Sequence, residues 1–140
     1  MIVEFVKPEY KHSEITGKIL AAAFEVHKVL GCGFSELVYH RALEVEFRLK
    51  QINFISEKEM SIFYKNEKVG TRRVDFFVEQ VIPVEIKAIS VLENRDLAQS
   101  INYLEAFNME VGLLINFGNP SLQYKRLVHP RLLKNKAGLL

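Results

Sequence analysis

The chain lacks tryptophan, has one cysteine among 140 residues, and carries no acidic side chain after Glu110. A lone Cys32 excludes an internal disulfide and fits a reducing compartment, so a cytoplasmic protein is expected. No apolar run approaches the roughly 18 residues of a membrane span. Met1 to Lys11 alternates charged and apolar residues without the apolar core of a secretory signal. Internal repeats, low-complexity tracts and Gly/Ser linkers are absent, which leaves one domain over 1–140, with a core of about 13–128 and a basic tail over 129–140. The hydrophobic fraction of 49% is that of an ordinary globular protein.

Net charge is only +2, but it is unevenly spread. Up to Glu110 the balance is −3; beyond it Lys125, Arg126, Arg131, Lys134 and Lys136 give +5. Such a segment either meets phosphates or merely solubilises the chain.

The hydrophobic pattern alternates between two periods. Ile15, Ile19, Ala22, Ala23, Val26, Val29 and Leu30 follow helical spacing and predict a helix over Ser13–Leu30, capped by Ser13 or Thr16 and stopped by Gly31-Cys32-Gly33. Ser35 can cap a second helix from Glu36 to about Gln51. Strands follow at Phe54–Lys58, Met60–Tyr64, Arg72–Val78 and Val81–Ala88, with a turn at Glu79-Gln80. A third helix covers about Glu93–Phe107, and Val111–Phe117 is apolar throughout, as for a strand covered on both faces. Tyr124–Val128 would add an edge strand. The expected fold class is a mixed α/β sandwich with a helical lead-in.

Against that frame the Asp75 and Val84-Glu85-Ile86-Lys87-Ala88 segments stand out. Glu85 and Lys87 are two apart and share one face of a strand otherwise built for the core. Burying a carboxylate and an ammonium is costly. An Asp ten residues before Glu-x-Lys is what a site holding a hard cation beside a phosphate needs; an exposed strand with an ordinary surface pair is the alternative. Three features stand beside this pair. Glu36 opens a helix in Gly33-Phe34-Ser35-Glu36-Leu37-Val38-Tyr39, either as a helix-dipole partner or as a further ligand, with Tyr39 at i+3 on the same side. Gln99 and Tyr103 share a face of the third helix, either as a half-buried amphipathic stripe or as substrate contacts. Leu113-Leu114-Ile115-Asn116-Phe117 supplies a core strand and no chemistry.

Taken together, these motifs resemble the PD-(D/E)xK nuclease superfamily, and within it the small GxxExxY group. Glu25-Val26-His27, Gly33 to Tyr39, Arg73-Val74-Asp75, Glu85-Ile86-Lys87 and Leu114-Ile115-Asn116-Phe117 carry the resemblance, which covers about Thr16 to Val128. It implies a restriction-endonuclease-like core, a mixed sheet flanked by helices. It implies Asp75 and Glu85 as metal ligands on adjoining strands, Glu36 reaching in from a helix, and Lys87 beside the attacking water. Gln99 and Tyr103 match the Gln-x-x-x-Tyr element that contacts the nucleic-acid strand in RecB-like branches. Two positions depart from the pattern: Val74 stands where the superfamily name has proline, and Cys32 where the group often has proline. The first is a common replacement; the second touches the rigidity of the turn.

An all-oxygen ligand set suits Mg²⁺ or Mn²⁺ rather than zinc. His27, near the metal in some related branches, is either a further ligand or a hydrogen-bonded boundary residue. Arg72 and Arg73 either contact phosphate or are solvated strand-end charges. The expectation is a Mg²⁺-dependent (or Mn²⁺-dependent) phosphodiesterase acting on nucleic acid, DNA first, with catalytic Glu36, Asp75, Glu85 and Lys87 and substrate contacts from Gln99, Tyr103 and Arg73. No membrane partner or small-molecule cofactor is expected, and a homodimer would pair two sites for two strands. The rival is a binding or assembly module that keeps the nuclease fold without cutting.

Overall fold

The structure is a computed structural model, and it describes residues 11–131. Helix α1 (Ser13–Leu30) turns its apolar stripe inward, burying Ile19, Leu20, Ala22, Ala23 and Val26. Val29, expected on that stripe, is exposed, whereas Leu30 is half-buried against the core. The cap also differs from expectation: His12, in a left-handed conformation, precedes the helix, while buried Thr16 lies inside it and donates its hydroxyl to the His12 and Ser13 carbonyls. Gly31, at φ 76°, ends the helix, its N–H bonded to His27 O. That angle favours glycine. Helix α2 (Glu36–Leu49) is capped by Ser35, whose hydroxyl accepts from Val38 N–H, and buries Tyr39, Leu43 and Phe47.

Five strands follow in spatial order β1-β2-β3-β4-β5. β1 (Phe54–Tyr64) and β2 (Glu67–Val78) form an antiparallel ribbon. The ribbon turns at Lys65 and Asn66, both at positive φ. β2 meets β3 (Ile82–Lys87) antiparallel across the three-residue loop Glu79-Gln80-Val81, whose first two residues are again at positive φ. Helix α3 (Asn94–Phe107) carries the chain to β4 (Val111–Asn116), parallel to β3, and β5 (Gln123–Val128) closes the edge antiparallel. Every residue of β4 is buried, because helices cover both faces of the sheet.

The two layers have separate cores. Beneath α1 and α2, Phe76, Val78, Ile82, Val84, Ile86, Leu113, Ile115 and Phe117 pack with the helices. Beneath α3, Val74 and Phe77 meet Phe107, and Leu114 and Leu127 meet Leu104. The central β2 to β4 strands thus carry apolar residues toward both sides. Within 11–131 no helix is long and apolar enough to cross a membrane.

The expected strands Phe54–Lys58 and Met60–Tyr64 are one strand with a break. The β1–β2 ladder is interrupted between the Ser56–Phe76 and Lys58–Val74 pairs, where Glu57 adopts φ 52°. Phe76 and Val78 face α1 and α2, yet Val74, two residues earlier, faces α3. On β1, Phe54 joins the first core, whereas Met60 and Ile62 pack in the second. Both strands therefore exchange faces at Glu57 and Asp75. This reversal decides what stands around Asp75.

Candidate active site

Asp75 lies where the ribbon parts from the sheet. The β2–β3 ladder ends at the Phe76–Val84 pair, and one residue further Asp75 is free of it. Its Oδ2 accepts the backbone N–H of Ile86 at 2.8 Å, so the carboxylate takes over a ladder position that β2 has vacated. From this gap Asp75 reaches both sides of the sheet.

Toward α3 its neighbour is Glu85. Burial pushes the Glu85 carboxyl up first, the Asp75 charge and a hydrogen bond with Asp75 push it further, and Arg72 and Lys87 oppose them, leaving it at about 8. Glu85 Oε2 accepts from Arg72 Nη2 at 3.3 Å; its Oε1 is buried with no donor. The Arg72 guanidinium lies 4.7 Å over the Tyr103 ring, and Gln99 Nε2 donates to the Tyr103 hydroxyl at 3.1 Å. A chain of contacts thus runs from Asp75 through Glu85 and Arg72 to Tyr103 and Gln99.

Toward α2, Asp75 and Glu36 line an open cleft of about 280 Å³ with Leu37, His40, Arg41, Glu44 and Glu57. The Glu36 carboxyl is also held above its usual range, by partial burial first and the Asp75 charge second, against Lys87, His40 and Arg72. His40 stacks on Phe76 with ring centroids 4.3 Å apart and stands between two carboxylates, Nδ1 3.9 Å from Asp75 and Nε2 3.7 Å from Glu44. Three carboxylates and Lys87 therefore act on one another from three elements, with Asp75 as the hub.

A model of the PD-(D/E)XK nuclease superfamily matches residues 13–127. The chain belongs to that superfamily. Its fold is similar to the crystal structure of SSO0001, with a TM-score of 0.54 and 19% identity; the match covers 89% of this chain and 62% of that one. The chain thus spans less than two thirds of that structure's length, and at this identity the likeness is one of fold. No curated protein matches. A mixed five-stranded sheet flanked by helices is the restriction-endonuclease-like arrangement expected of a PD-(D/E)XK protein.

PD-(D/E)XK nucleases generally use divalent metals. Among the described residues, no three His, Cys, Asp or Glu side chains form a group that could hold an ion on their own. The donor set still fits a hard divalent cation. Mg²⁺ commonly takes one or two protein carboxylates and completes its shell with water and substrate phosphates. Asp75 and Glu85 supply such a pair, and the orphaned Glu85 Oε1 marks a buried acceptor awaiting a proton or a cation.

Other expected residues lie in different contacts. Lys87 ends β3 opposite Asn116, and its charge acts on both Glu36 and Glu85. Arg73 is exposed, 4.0 Å from Glu57 and from Glu59. Strict alternation would set Arg73 beside Asp75; the break in the ladder turns Arg72 to Glu85 instead. His27 bonds through Nε2 to the Asn119 carbonyl at 2.9 Å and is not among the charges acting on Glu36 or Glu85. Tyr39 does not share the side of Glu36. Its ring is fully buried, stacked on Phe117 at 4.8 Å, and its hydroxyl donates to Gly31 O at 2.6 Å and accepts from Phe34 N–H at 3.1 Å. A long side chain on a helix leans back over the preceding turn, which brings Tyr39 to the glycine loop. His40, one position on, is the residue that joins Glu36 in the cleft. Of the described basic residues of the C-terminal segment, Arg126 bonds Lys11 O and Arg131 bonds Glu105, while Lys125 is exposed. Lys134 and Lys136 lie outside the described residues.

Proposed function

We propose that this protein is a Mg²⁺- or Mn²⁺-dependent nuclease of the GxxExxY kind, hydrolysing phosphodiester bonds in DNA. The observation that carries the reading is the Asp75–Glu85 pair, two neighbouring carboxyls on adjoining strands with Asp75 bonded to the N–H next to Glu85, flanked by Glu36 and Lys87. Asp75 and Glu85 would hold the cation, with Glu36 facing Asp75 from the first turn of α2 as the outer carboxylate. A divalent ion there supplies polarisation of a phosphoryl oxygen and a water acidic enough to attack at neutral pH. Lys87 donates to charge developing on the phosphate and orients the nucleophile. Gln99 and Tyr103 present a polar edge of α3 to the nucleic-acid strand. On the α2 side Glu36 and Asp75 face an open cleft, which leaves room for a phosphodiester backbone beside them.

The test is cleavage of supercoiled, linear and single-stranded DNA, and of RNA, with Mg²⁺ or Mn²⁺. Cutting that requires the metal and disappears in both Glu85→Ala and Lys87→Ala supports the reading and fixes the substrate class. Wild-type protein that binds nucleic acid without cutting it, with both variants binding equally well, makes it a non-catalytic module instead.

A further inference from the structure

Arg72 is held in a way that an ordinary surface arginine is not. Nη2 donates to Glu85 Oε2 at 3.3 Å, Nη1 donates to Arg73 O at 3.1 Å, and the guanidinium covers the Tyr103 ring. Yet Nε is buried with no acceptor, and so is Oε1 of the carboxylate it faces. A guanidinium and a carboxylate have matched forks and normally make two parallel bonds. Here one bond is made and each partner keeps a buried atom unsatisfied. The pair is associated but not locked. Its geometry suits a carboxylate that must exchange one cation for another.

We propose that Arg72 is the built-in counter-cation of Glu85: it holds the carboxylate while no metal is bound, yields it when a divalent cation arrives, and then offers its guanidinium to a phosphate of the nucleic acid beside Tyr103. This rests on the metal-dependent reading of the site given above. Two physical points support the exchange. A divalent ion taking Oε1 would stand close to the guanidinium on Oε2, and the repulsion between the two cations weakens the Arg72 bond. The released guanidinium also keeps a partner in Tyr103, whose ring attracts a cation without saturating its five donors. The Tyr103 hydroxyl is in turn bonded to Gln99, which extends the polar edge along α3 where a strand approaching the pair would lie. Arg72 is thus a substrate-contacting residue that is masked until the cation unmasks it.

Binding measurements separate this from a structural role. Mn²⁺ titrated calorimetrically into nucleic-acid-free protein at about pH 8.5 should bind Arg72→Met about tenfold more tightly than wild type, since no resident cation has to leave. Arg72→Lys, which keeps the charge, should stay close to wild type. With Ca²⁺ present to limit cutting, Arg72→Met should lower the salt slope of DNA binding by about one phosphate contact, and in EDTA leave it unchanged. Melting in EDTA establishes that each variant is folded; if Arg72→Met is not, Arg72→Gln takes its place in both measurements. Equal or weaker Mn²⁺ binding by the folded variant, while Glu85→Ala abolishes binding, overturns the exchange and leaves the metal site standing. An unchanged salt slope in Ca²⁺ overturns the phosphate contact. Wild type that binds no Mn²⁺ removes the metal reading itself, and this proposal with it.

Discussion

Asp75 accepts the backbone N–H of Ile86, the residue between Glu85 and Lys87. One carboxylate therefore ties the ribbon to the strand bearing two of the other candidate residues, and its structural and chemical roles can be separated. Asp75→Asn keeps an acceptor for Ile86 N–H and removes the charge. Asp75→Ala also orphans that N–H, which costs about 1–3 kcal/mol. Denaturant unfolding should rank wild type and Asp75→Asn close together with Asp75→Ala below them, whereas both variants should lose Mg²⁺-dependent cleavage. Cutting by Asp75→Asn at the wild-type rate would remove Asp75 from the metal site.

The Glu85 carboxyl, raised to about 8, makes a signed prediction about pH. Between the ordinary carboxyl range and about 8 the folded protein holds a proton on this group that the unfolded chain has released. The contribution is complete below the ordinary range and is lost as pH rises through 8. Glu36 is shifted the same way and adds to the trend. In EDTA, wild type should therefore lose more melting temperature between about pH 6 and pH 8.5 than Glu85→Gln does. A divalent cation competes with the proton for the carboxylates, so the rise in Tm produced by Mg²⁺ should grow over the same interval. A Mg²⁺ effect that shrinks with pH would contradict a carboxylate site.

Much of this was legible in the sequence, for identifiable reasons. α1 runs over Ser13–Leu30 as its spacing and Gly31 indicate, and the turn at Glu79-Gln80 falls where two apolar strands are separated by polar residues. Asp75, Glu85 and Lys87 announce themselves as charges in strands otherwise made for a core. What could not be read is the exchange of faces at Glu57 and Asp75. A glutamate at positive φ leaves no mark in composition or period, so alternation carried across it assigns Arg73 and Arg72 to each other's surroundings. His40 was hidden for another reason. On α2 it falls beside a buried tyrosine, and only the tertiary position of Phe76 and Asp75 shows which residue enters the cleft.

The expectation that β4 does no chemistry leaves its last residue to explain. Asn116 is fully buried and uses all of its side chain: Oδ1 accepts from Ile89 N–H at 2.9 Å and Gly118 N–H at 3.1 Å, while Nδ2 donates to Ile89 O at 2.8 Å and Gln123 Oε1 at 3.0 Å. It pins the loop leaving Lys87. A Cβ on Gly118 would stand 2.3 Å from the Ile89 carbonyl oxygen, so that loop passes over bare backbone. Asn116→Ala should cost about 2–4 kcal/mol, since several buried groups lose partners at once. Gly118→Ala should be at least as damaging. Chemical denaturation of both variants checks this, and a loss under 1 kcal/mol in either would show that the loop is not held as described.

The Gly33-to-Tyr39 motif combines two jobs that substitution should pull apart. Tyr39 closes the glycine turn from inside, with its hydroxyl between Gly31 O and Phe34 N–H and its ring on Phe117. Tyr39→Phe keeps the stack and strands the two backbone groups, so stability should fall by about 1–3 kcal/mol while each folded molecule cuts at close to the wild-type rate. Glu36 makes the opposite case. Its carboxyl faces the cleft and is raised by partial burial and the Asp75 charge, so its charge is a strain on the apo site rather than a support. Glu36→Gln should leave Tm in EDTA unchanged or raise it, and should reduce Mg²⁺-dependent cleavage strongly. Unfolding in EDTA and single-turnover cleavage, measured on the same preparations, give the two readings. If Tyr39→Phe loses turnover while keeping its stability, or Glu36→Gln loses stability while keeping turnover, the roles assigned to the two ends of the motif are reversed.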